Sequence, residues 1–229
     1  PVLYLLDGPN VFENHPGIPA EWRADETAQQ LITSGAMAPA IIVAVPHAGP
    51  GRNSEYMPFD VIESIPARGE EHAAWMLREV MPRVERAFRV STSRDHTGIG
   101  GASLGGVMAV YLAAKHPDEF GIVLAESIAG RVAESPEWSS MLESATRWPE
   151  RAYIGVGGKE TGDDASRNAA YVAANRAVHD RYRDAGKVGP DRLLLIVQEN
   201  AGHNEEAWAE RLPQALTFLF PPPMTGSGK

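Results

Sequence analysis

Six short apolar runs recur along the chain, at residues 1–6, 40–45, 97–101, 121–125, 152–156 and 193–197. Within each run the apolar residues are nearly continuous instead of alternating with polar ones. Continuous apolar runs are typical of parallel strands whose two faces are both covered by helices. We therefore predict six strands that form one mostly parallel sheet.

Segments with the residue spacing of helices separate these runs, at residues 24–32, 70–88, 104–116, 164–185 and 204–220. Pro82 is expected to end or kink the second segment, because proline has no N–H and its ring crowds the preceding turn. Gly186 is expected to cap the fourth segment. Strands that alternate with helices predict βαβ units, and therefore an α/β fold.

The chain has 229 residues and contains no internal repeat and no linker-like stretch that would divide it. A length of this order suits a single α/β domain. We predict one catalytic domain over residues 1–220. The remaining residues, 221–229, are rich in proline, glycine and serine and are predicted to be a disordered tail.

Composition excludes several classes of protein. The formal net charge of −9 argues against a nucleic-acid-binding protein, which would show clustered lysine and arginine. The chain has no cysteine, which excludes a disulfide framework and a thiolate metal site. No run of about 18 apolar residues is present, so no membrane span is expected. The N-terminus lacks the features of a signal peptide, which favours a cytoplasmic location.

The stretch GASLG at residues 101–105 matches the motif G-x-S-x-G. In this motif a nucleophilic serine, here Ser103, occupies a sharp turn between a strand and a helix. The two glycines let neighbouring backbone approach the strained serine without a Cβ clash. The alternative is a glycine-rich helix start that only packs tightly. A dinucleotide fingerprint is disfavoured because the third glycine is missing, and no Gly-Lys-Ser/Thr follows to make a P-loop.

A serine nucleophile needs a base that is itself oriented by a third group. In α/β-hydrolases an acid and then a histidine follow the serine, each after a strand. His203 comes directly after the last predicted strand, so we predict that it is the base. Glu160 is the first carboxylate after the strand 152–156 and is predicted as the acid. Asp163 and Asp164 are alternatives, and one of them would cap the next helix. No spacing typical of a metal site is present.

The chain resembles the esterase D or enterochelin-esterase-like family of α/β-hydrolases, which includes feruloyl and siderophore esterases. The resemblance runs through nearly the whole chain and rests on YLLDGPNVF at 4–12, EWRAD at 21–25, EYMP at 55–58, IGGASLGG at 99–106 and GHNEEAW at 202–208. It implies a three-layer α/β-hydrolase fold and a serine carboxylesterase that acts on a small-molecule ester without a cofactor. It also implies Ser103 as nucleophile, His203 as base and an acid near Glu160.

The resemblance implies further site residues. Trp22 and Tyr56 are expected near the acyl or alcohol side of the cleft. The N–H of Leu104 is expected to be one oxyanion donor. The family's second donor would fall on Pro9, which has no N–H. Either Asn10 supplies the second donor, through its backbone or its side chain, or the oxyanion hole is one donor short.

Other features of the chain bear on substrate and activity. Residues 130–149, which include Trp138, are predicted either to cap the acyl pocket or to pack as a plain surface helix. Residues 126–130 lack the aromatic residues of siderophore-esterase relatives, so a siderophore substrate is not favoured.

Family members usually carry strands before the equivalent of residue 1. The same triad could instead transfer the acyl group to an alcohol, or the chain could be a catalytically silent binding domain. No oligomeric state is predicted.

Overall fold

The computed structural model describes residues 1–14, 16, 20–185 and 188–222. Its six strands form one sheet, and every neighbouring pair is parallel. The strands are β1 Val2–Leu6, β2 Ile41–Val45, β3 Thr97–Ala102, β4 Ile122–Glu126, β5 Arg151–Gly157 and β6 Leu193–Gln198. Their order in the sheet is β2-β1-β3-β4-β5-β6. The prediction of a mostly parallel α/β sheet is confirmed.

Nine α-helices flank the sheet within the described residues: α1 Ala24–Thr33, α2 Arg52–Glu55, α3 Gly69–Trp75, α4 Met81–Ala87, α5 Leu104–Lys115, α6 Gly130–Ala133, α7 Pro136–Ser144, α8 Ala165–Asp184 and α9 Glu205–Leu219. Alternate residues of β1 face opposite sides of the sheet, so Leu3 and Leu5 join one core and Tyr4 and Leu6 join the other. Helices α1 and α9 cover the first core. Helices α3 to α8 supply the second core, which gives three layers.

The helical segment is interrupted before Pro82, as predicted. The α-helix α3 ends at Trp75, a π-helical turn follows at Met76–Val80, and Pro82 lies in the first turn of α4. Proline is tolerated in a first turn, because the N–H that it lacks would have no intrahelical acceptor there. The predicted cap at Gly186 and most of the predicted tail, 223–229, lie outside the described residues.

The segment 130–149 packs on the body of the protein. Helices α6 and α7 contact α8 and α5, and the side chains of Trp138, Met141, Leu142 and Trp148 are buried in the second core. This arrangement agrees with the prediction of a packed surface helix and not with that of a cap over the acyl pocket.

The strand order reverses between β1 and β3, because β2 lies on one side of β1 and β4 lies on the far side of β3. The loops that leave the carboxyl ends of β1 and β3 therefore diverge and leave a crevice between them. Ligands of open α/β sheets bind at this switch point. The turn after β1 is Gly8–Asn10, and the turn after β3 contains Ser103.

Candidate active site

Ser103 forms the tight turn between β3 and α5 that the motif predicts. Its backbone has φ 58° and ψ −121°, a strained conformation for a residue other than glycine. Its N–H donates to the carbonyl oxygen of Glu126 at 2.9 Å, which anchors the turn to the end of β4. A Cβ on Gly101 would lie 2.7 Å from the carbonyl carbon of Gly105, so both flanking positions are tightly packed. The glycines of the motif therefore allow the turn to close.

His203 and Glu160 meet at the carboxyl ends of β6 and β5. The Nδ1 atom of His203 lies 2.5 Å from Oε2 of Glu160. Asp164 lies at the start of α8, where its side chain accepts the N–H of Arg167 and caps the helix. Of the three carboxylates considered in this loop, Glu160 is the one that contacts the histidine.

The carboxylate of Glu160 is buried and receives three hydrogen bonds. Oε1 accepts from the hydroxyl of Ser127 at 2.6 Å and from the N–H of Gly157 at 2.5 Å, and Oε2 faces His203. Burial would raise the pKa of Glu160, but these hydrogen bonds outweigh it and hold the pKa below its usual value. Glu160 is therefore a buried ionised acceptor. The sequence motifs did not single out Ser127 or Gly157.

Ser103 and His203 line the same cavity, of about 460 Å³. Its other lining residues are Asp7, Pro9, Asn10, Pro16, His47, Arg52, Glu205 and Trp208. The imidazole of His203 lies between two aromatic rings in edge contact, with centroids 5.6 Å away at Tyr171 and 5.3 Å away at Trp208. No hydrogen bond between Ser103 and His203 is present in the described part of the chain. Such catalytic bonds often tighten only when a substrate binds.

The turn after β1 also lines the cavity. The backbone N–H of Asn10 donates to the carbonyl of Asp7 at 3.2 Å, so this N–H is engaged within the turn. The side-chain amide of Asn10 is 4% exposed and lines the cavity, and its Nδ2 donates to Oε1 of Glu205 at 3.2 Å. An amide nitrogen carries two hydrogens, so one remains available. Asn10 offers two possible donors to an oxyanion, its backbone N–H and its side-chain amide. The geometry favours the side-chain amide.

The first turn of α5 supplies unpaired N–H groups next to Ser103. The first intrahelical hydrogen bond runs from the N–H of Val107 to the carbonyl of Ser103. The N–H of Leu104 precedes it and has no intrahelical acceptor, as for every helix start. The helix dipole adds a partial positive charge at the same place. This arrangement suits an anion formed at Ser103.

A charged cluster supports the turn after β1. Asp7 has a left-handed backbone with φ 63°, and its carboxylate accepts two hydrogen bonds from the guanidinium of Arg52. Its N–H donates to the hydroxyl of Tyr56 at 3.1 Å. Tyr56 itself is fully buried, so it holds the turn from behind and does not contact the cavity.

The other two predicted substrate-binding residues are also in the core. Trp22 is 1% exposed and packs against the ring of Trp208, with centroids 5.7 Å apart. Trp138 is 2% exposed and lies in α7 beside α8, remote from the lining of the Ser103 cavity. The structure therefore gives Trp22, Tyr56 and Trp138 packing positions and not positions on the cavity surface. Resemblance alone could not distinguish a residue that lines a cleft from one that supports its wall.

The described residues contain no group of three or more His, Asp or Glu side chains arranged to bind a metal ion. None of the described helices combines the length and apolarity needed to cross a bilayer.

The three-layer fold, with Ser103, Glu160 and His203 on the loops that follow β3, β5 and β6, is that of an α/β-hydrolase. The sequence model of the family described as "Putative esterase" matches residues 1–219, and the chain belongs to that family. A curated relative, the uncharacterised protein YbbA of Bacillus subtilis, is 22% identical over 231 residues, which cover 96% of this chain and 85% of that protein.

Solved structures support the same fold. The enterobactin esterase FES from Shigella flexneri has a TM-score of 0.72 and 21% identity, and the match covers 96% of this chain and 52% of that one. This chain thus spans about half the length of that enzyme. The BES protein from Bacillus cereus has a TM-score of 0.64 and 20% identity, over 96% of this chain and 82% of that one. A ferulic acid esterase has a TM-score of 0.59 and 19% identity, and the match covers 96% of this chain and 84% of that one.

Proposed function

We propose that the protein is a serine carboxylesterase that hydrolyses a small-molecule ester through an acyl-enzyme. The observation that carries the proposal is the 2.5 Å contact between Glu160 and Nδ1 of His203, in a cavity that Ser103 also lines. Membership of an esterase family supports the reaction class. The similar enzymes act on esters as different as enterobactin and ferulic acid conjugates by their names, so they do not narrow the substrate.

The proposed reaction has two halves. Oγ of Ser103 attacks the ester carbonyl while Nε2 of His203 takes the hydroxyl proton, and Glu160 stabilises the resulting imidazolium. The tetrahedral intermediate then collapses, and His203 gives its proton to the departing alcohol. A water molecule next attacks the acyl-enzyme with His203 again as base, which releases the acid and restores Ser103. No cofactor takes part in these steps.

The oxyanion of each intermediate needs donors. We assign one to the N–H of Leu104 at the start of α5. We assign the second to the side chain of Asn10, because Pro9 has no N–H and the backbone N–H of Asn10 is engaged by Asp7. Glu205 accepts one hydrogen of the Asn10 amide and orients the other. Loss of one such donor typically lowers kcat by about 100- to 1,000-fold.

The first experiment is labelling with a fluorophosphonate probe, followed by mass spectrometry of the peptide that contains the modified residue. We expect modification at Ser103 in the parent protein and none in Ser103→Ala. The matched control is Ser140→Ala, because Ser140 is exposed on α7 and outside the cavity. A folded parent protein that is neither labelled nor active on 4-nitrophenyl esters would refute the proposal and favour a silent binding domain.

The second experiment tests the oxyanion assignment. In Asn10→Ala we expect kcat for 4-nitrophenyl butyrate to fall by about 100-fold or more, with little change in KM, because an oxyanion donor acts mainly in the transition state. Circular dichroism and thermal unfolding show whether the variant remains folded. A folded Asn10→Ala that keeps a third or more of the parent kcat would assign the second donor elsewhere.

A further inference from the structure

A buried serine lies behind the acid, on the side away from His203. Ser127 follows β4 directly and has no exposed surface. Its hydroxyl lies 2.6 Å from Oε1 of Glu160 and 3.0 Å from Nε1 of Trp208, which belongs to α9. The mechanism above does not use Ser127 or the indole N–H of Trp208.

The direction of these hydrogen bonds follows from the donors available. An indole nitrogen can only donate, so Trp208 donates and the oxygen of Ser127 accepts. The single proton of the Ser127 hydroxyl is then directed to Glu160. Oε1 of Glu160 thus receives two donors, from Ser127 and Gly157. A proton on Oε1 would face both donors, so the network favours the ionised carboxylate.

The same direction continues to the histidine. An ionised Glu160 can only accept, so Nδ1 of His203 carries a hydrogen and donates it to Oε2. Neutral imidazole has one N–H, so Nε2 is then free to accept a proton from Ser103. With Glu160 ionised, hydrogen-bond donation therefore runs in one direction from Trp208 through Ser127 to Oε1, and from His203 to Oε2.

We propose that Ser127 is a positioning residue of the triad, and that Trp208 directs its hydroxyl so that the pair fixes the ionised Glu160 and the reactive tautomer of His203. This inference rests on the proposed serine mechanism. Ser127 does not touch the substrate. It acts through Glu160, whereas Trp208 also lines the cavity and packs on the edge of the His203 ring.

The backbone holds Ser127 in place from both sides. Its N–H donates to the carbonyl of Gly155 at 2.7 Å. The side chain of Asn175 on α8 accepts from the N–H of Ile128 at 2.9 Å and donates to the Ile128 carbonyl at 3.2 Å. A hydroxyl on so constrained a backbone has little freedom to leave Glu160.

The backbone conformation of Ser127 indicates which substitution removes its hydroxyl with the least strain. Its φ is 48°, in the left-handed region that glycine adopts without strain. Ser127→Gly therefore removes the hydroxyl and relieves the backbone, whereas Ser127→Ala would keep the Cβ and its strain. Trp208→Phe removes the indole N–H and keeps an aromatic ring beside His203. Ser140→Ala again serves as the matched control.

In Ser127→Gly we expect kcat to fall by about 10- to 100-fold, because one hydrogen bond to an ionised group is lost, with KM within about twofold. The charged and titratable groups that influence Glu160 are His203, Tyr171, Glu126 and Arg211. All four remain in the variant. Loss of the Ser127 donor raises the pKa of Glu160, because the ionised carboxylate loses one hydrogen bond.

The double variant tests whether Trp208 acts through Ser127. Trp208→Phe alone should lower kcat less than Ser127→Gly does. When the two changes are combined, kcat should equal that of Ser127→Gly within about twofold, since residues in series are not additive. A double variant whose loss is the product of the two single losses would overturn the assigned role of Trp208.

A second readout does not depend on activity. The carboxyl carbon of Glu160 can be followed by NMR during a pH titration of the parent protein and of Ser127→Gly, and we expect a higher midpoint in the variant. An unchanged midpoint, with kcat within twofold of the parent, would overturn the inference. If Ser103 is not labelled in the parent protein, the proposed function fails, and the titration still tests the contact between Ser127 and Glu160.

Discussion

The ion pair between Glu126 and Arg211 gives a prediction whose magnitude follows from its burial. Glu126 ends β4 and is 1% exposed, and Arg211 on α9 is 4% exposed. The guanidinium donates to Oε2 of Glu126 from Nη2 at 2.7 Å and from Nε at 3.0 Å. The carbonyl of the same Glu126 accepts the N–H of Ser103, so the pair is connected to the turn that holds Ser103.

Arg211→Met removes the charge and keeps much of the aliphatic bulk. It leaves a carboxylate in the core without its partner, which typically lowers the free energy of unfolding by about 3–5 kcal/mol. Glu126→Leu combined with Arg211→Met removes both charges. Replacing a whole buried pair with apolar side chains is often close to neutral, so we expect the double variant to lie within about 2 kcal/mol of the parent.

The cost of Arg211→Met depends on pH. Burial raises the pKa of Glu126 to about 7, although the charge and hydrogen bonds of Arg211 act in the opposite direction. Without Arg211 the pKa of Glu126 rises further. A carboxyl whose folded pKa exceeds its unfolded value keeps a proton that the unfolded chain releases, so stability falls as pH rises between those two values. We therefore expect Arg211→Met to lower the free energy of unfolding more at pH 8 than at pH 5.

The assay is urea unfolding at pH 5 and pH 8, followed by fluorescence and circular dichroism, for the parent, the Arg211→Met variant and the double variant. The double variant should show little difference between the two pH values beyond that of the parent. An Arg211→Met loss below about 1 kcal/mol at both pH values would refute the reasoning, because it would mean that water or another cation reaches the carboxylate.

Three further predictions concern the turns and the acid. Gly101→Ala should destabilise the protein by more than about 2 kcal/mol and abolish fluorophosphonate labelling, since the new Cβ would lie 2.7 Å from the backbone of Gly105. Tyr56→Phe should lower kcat by about tenfold with a loss of about 1 kcal/mol in urea unfolding, because the N–H of Asp7 loses its acceptor. The pKa of Glu160 is lower in the folded protein than in the unfolded chain, so its contribution to stability is present at neutral pH and is lost on acidification through the folded value. Glu160→Gln should reduce the acid dependence of thermal unfolding.

The sheet and the tight turn at Ser103 were predictable because their signals are local. A buried parallel strand requires a continuous apolar run, and such runs marked all six strands to within a few residues. The serine turn needs glycines at fixed offsets, and these appear in the sequence as a motif. Pro82 likewise marked an interruption of its helical segment, but nothing in the sequence indicated that the interruption is a π turn at Met76–Val80.

The position of Glu160 directly beyond a strand favoured it as the acid of the proposed triad but left Asp163 and Asp164 open, because the contacts that distinguish the three are distant in sequence. Glu160, Asp163 and Asp164 are chemically alike and follow the same strand. The bond to Glu160 from Ser127 spans 33 residues, and the bond to Ser127 from Trp208 spans 81. Neither partner belongs to the loop itself. The loop supplies several candidate carboxylates, and the packing of β4 and α9 behind it determines which one is buried, ionised and directed at His203.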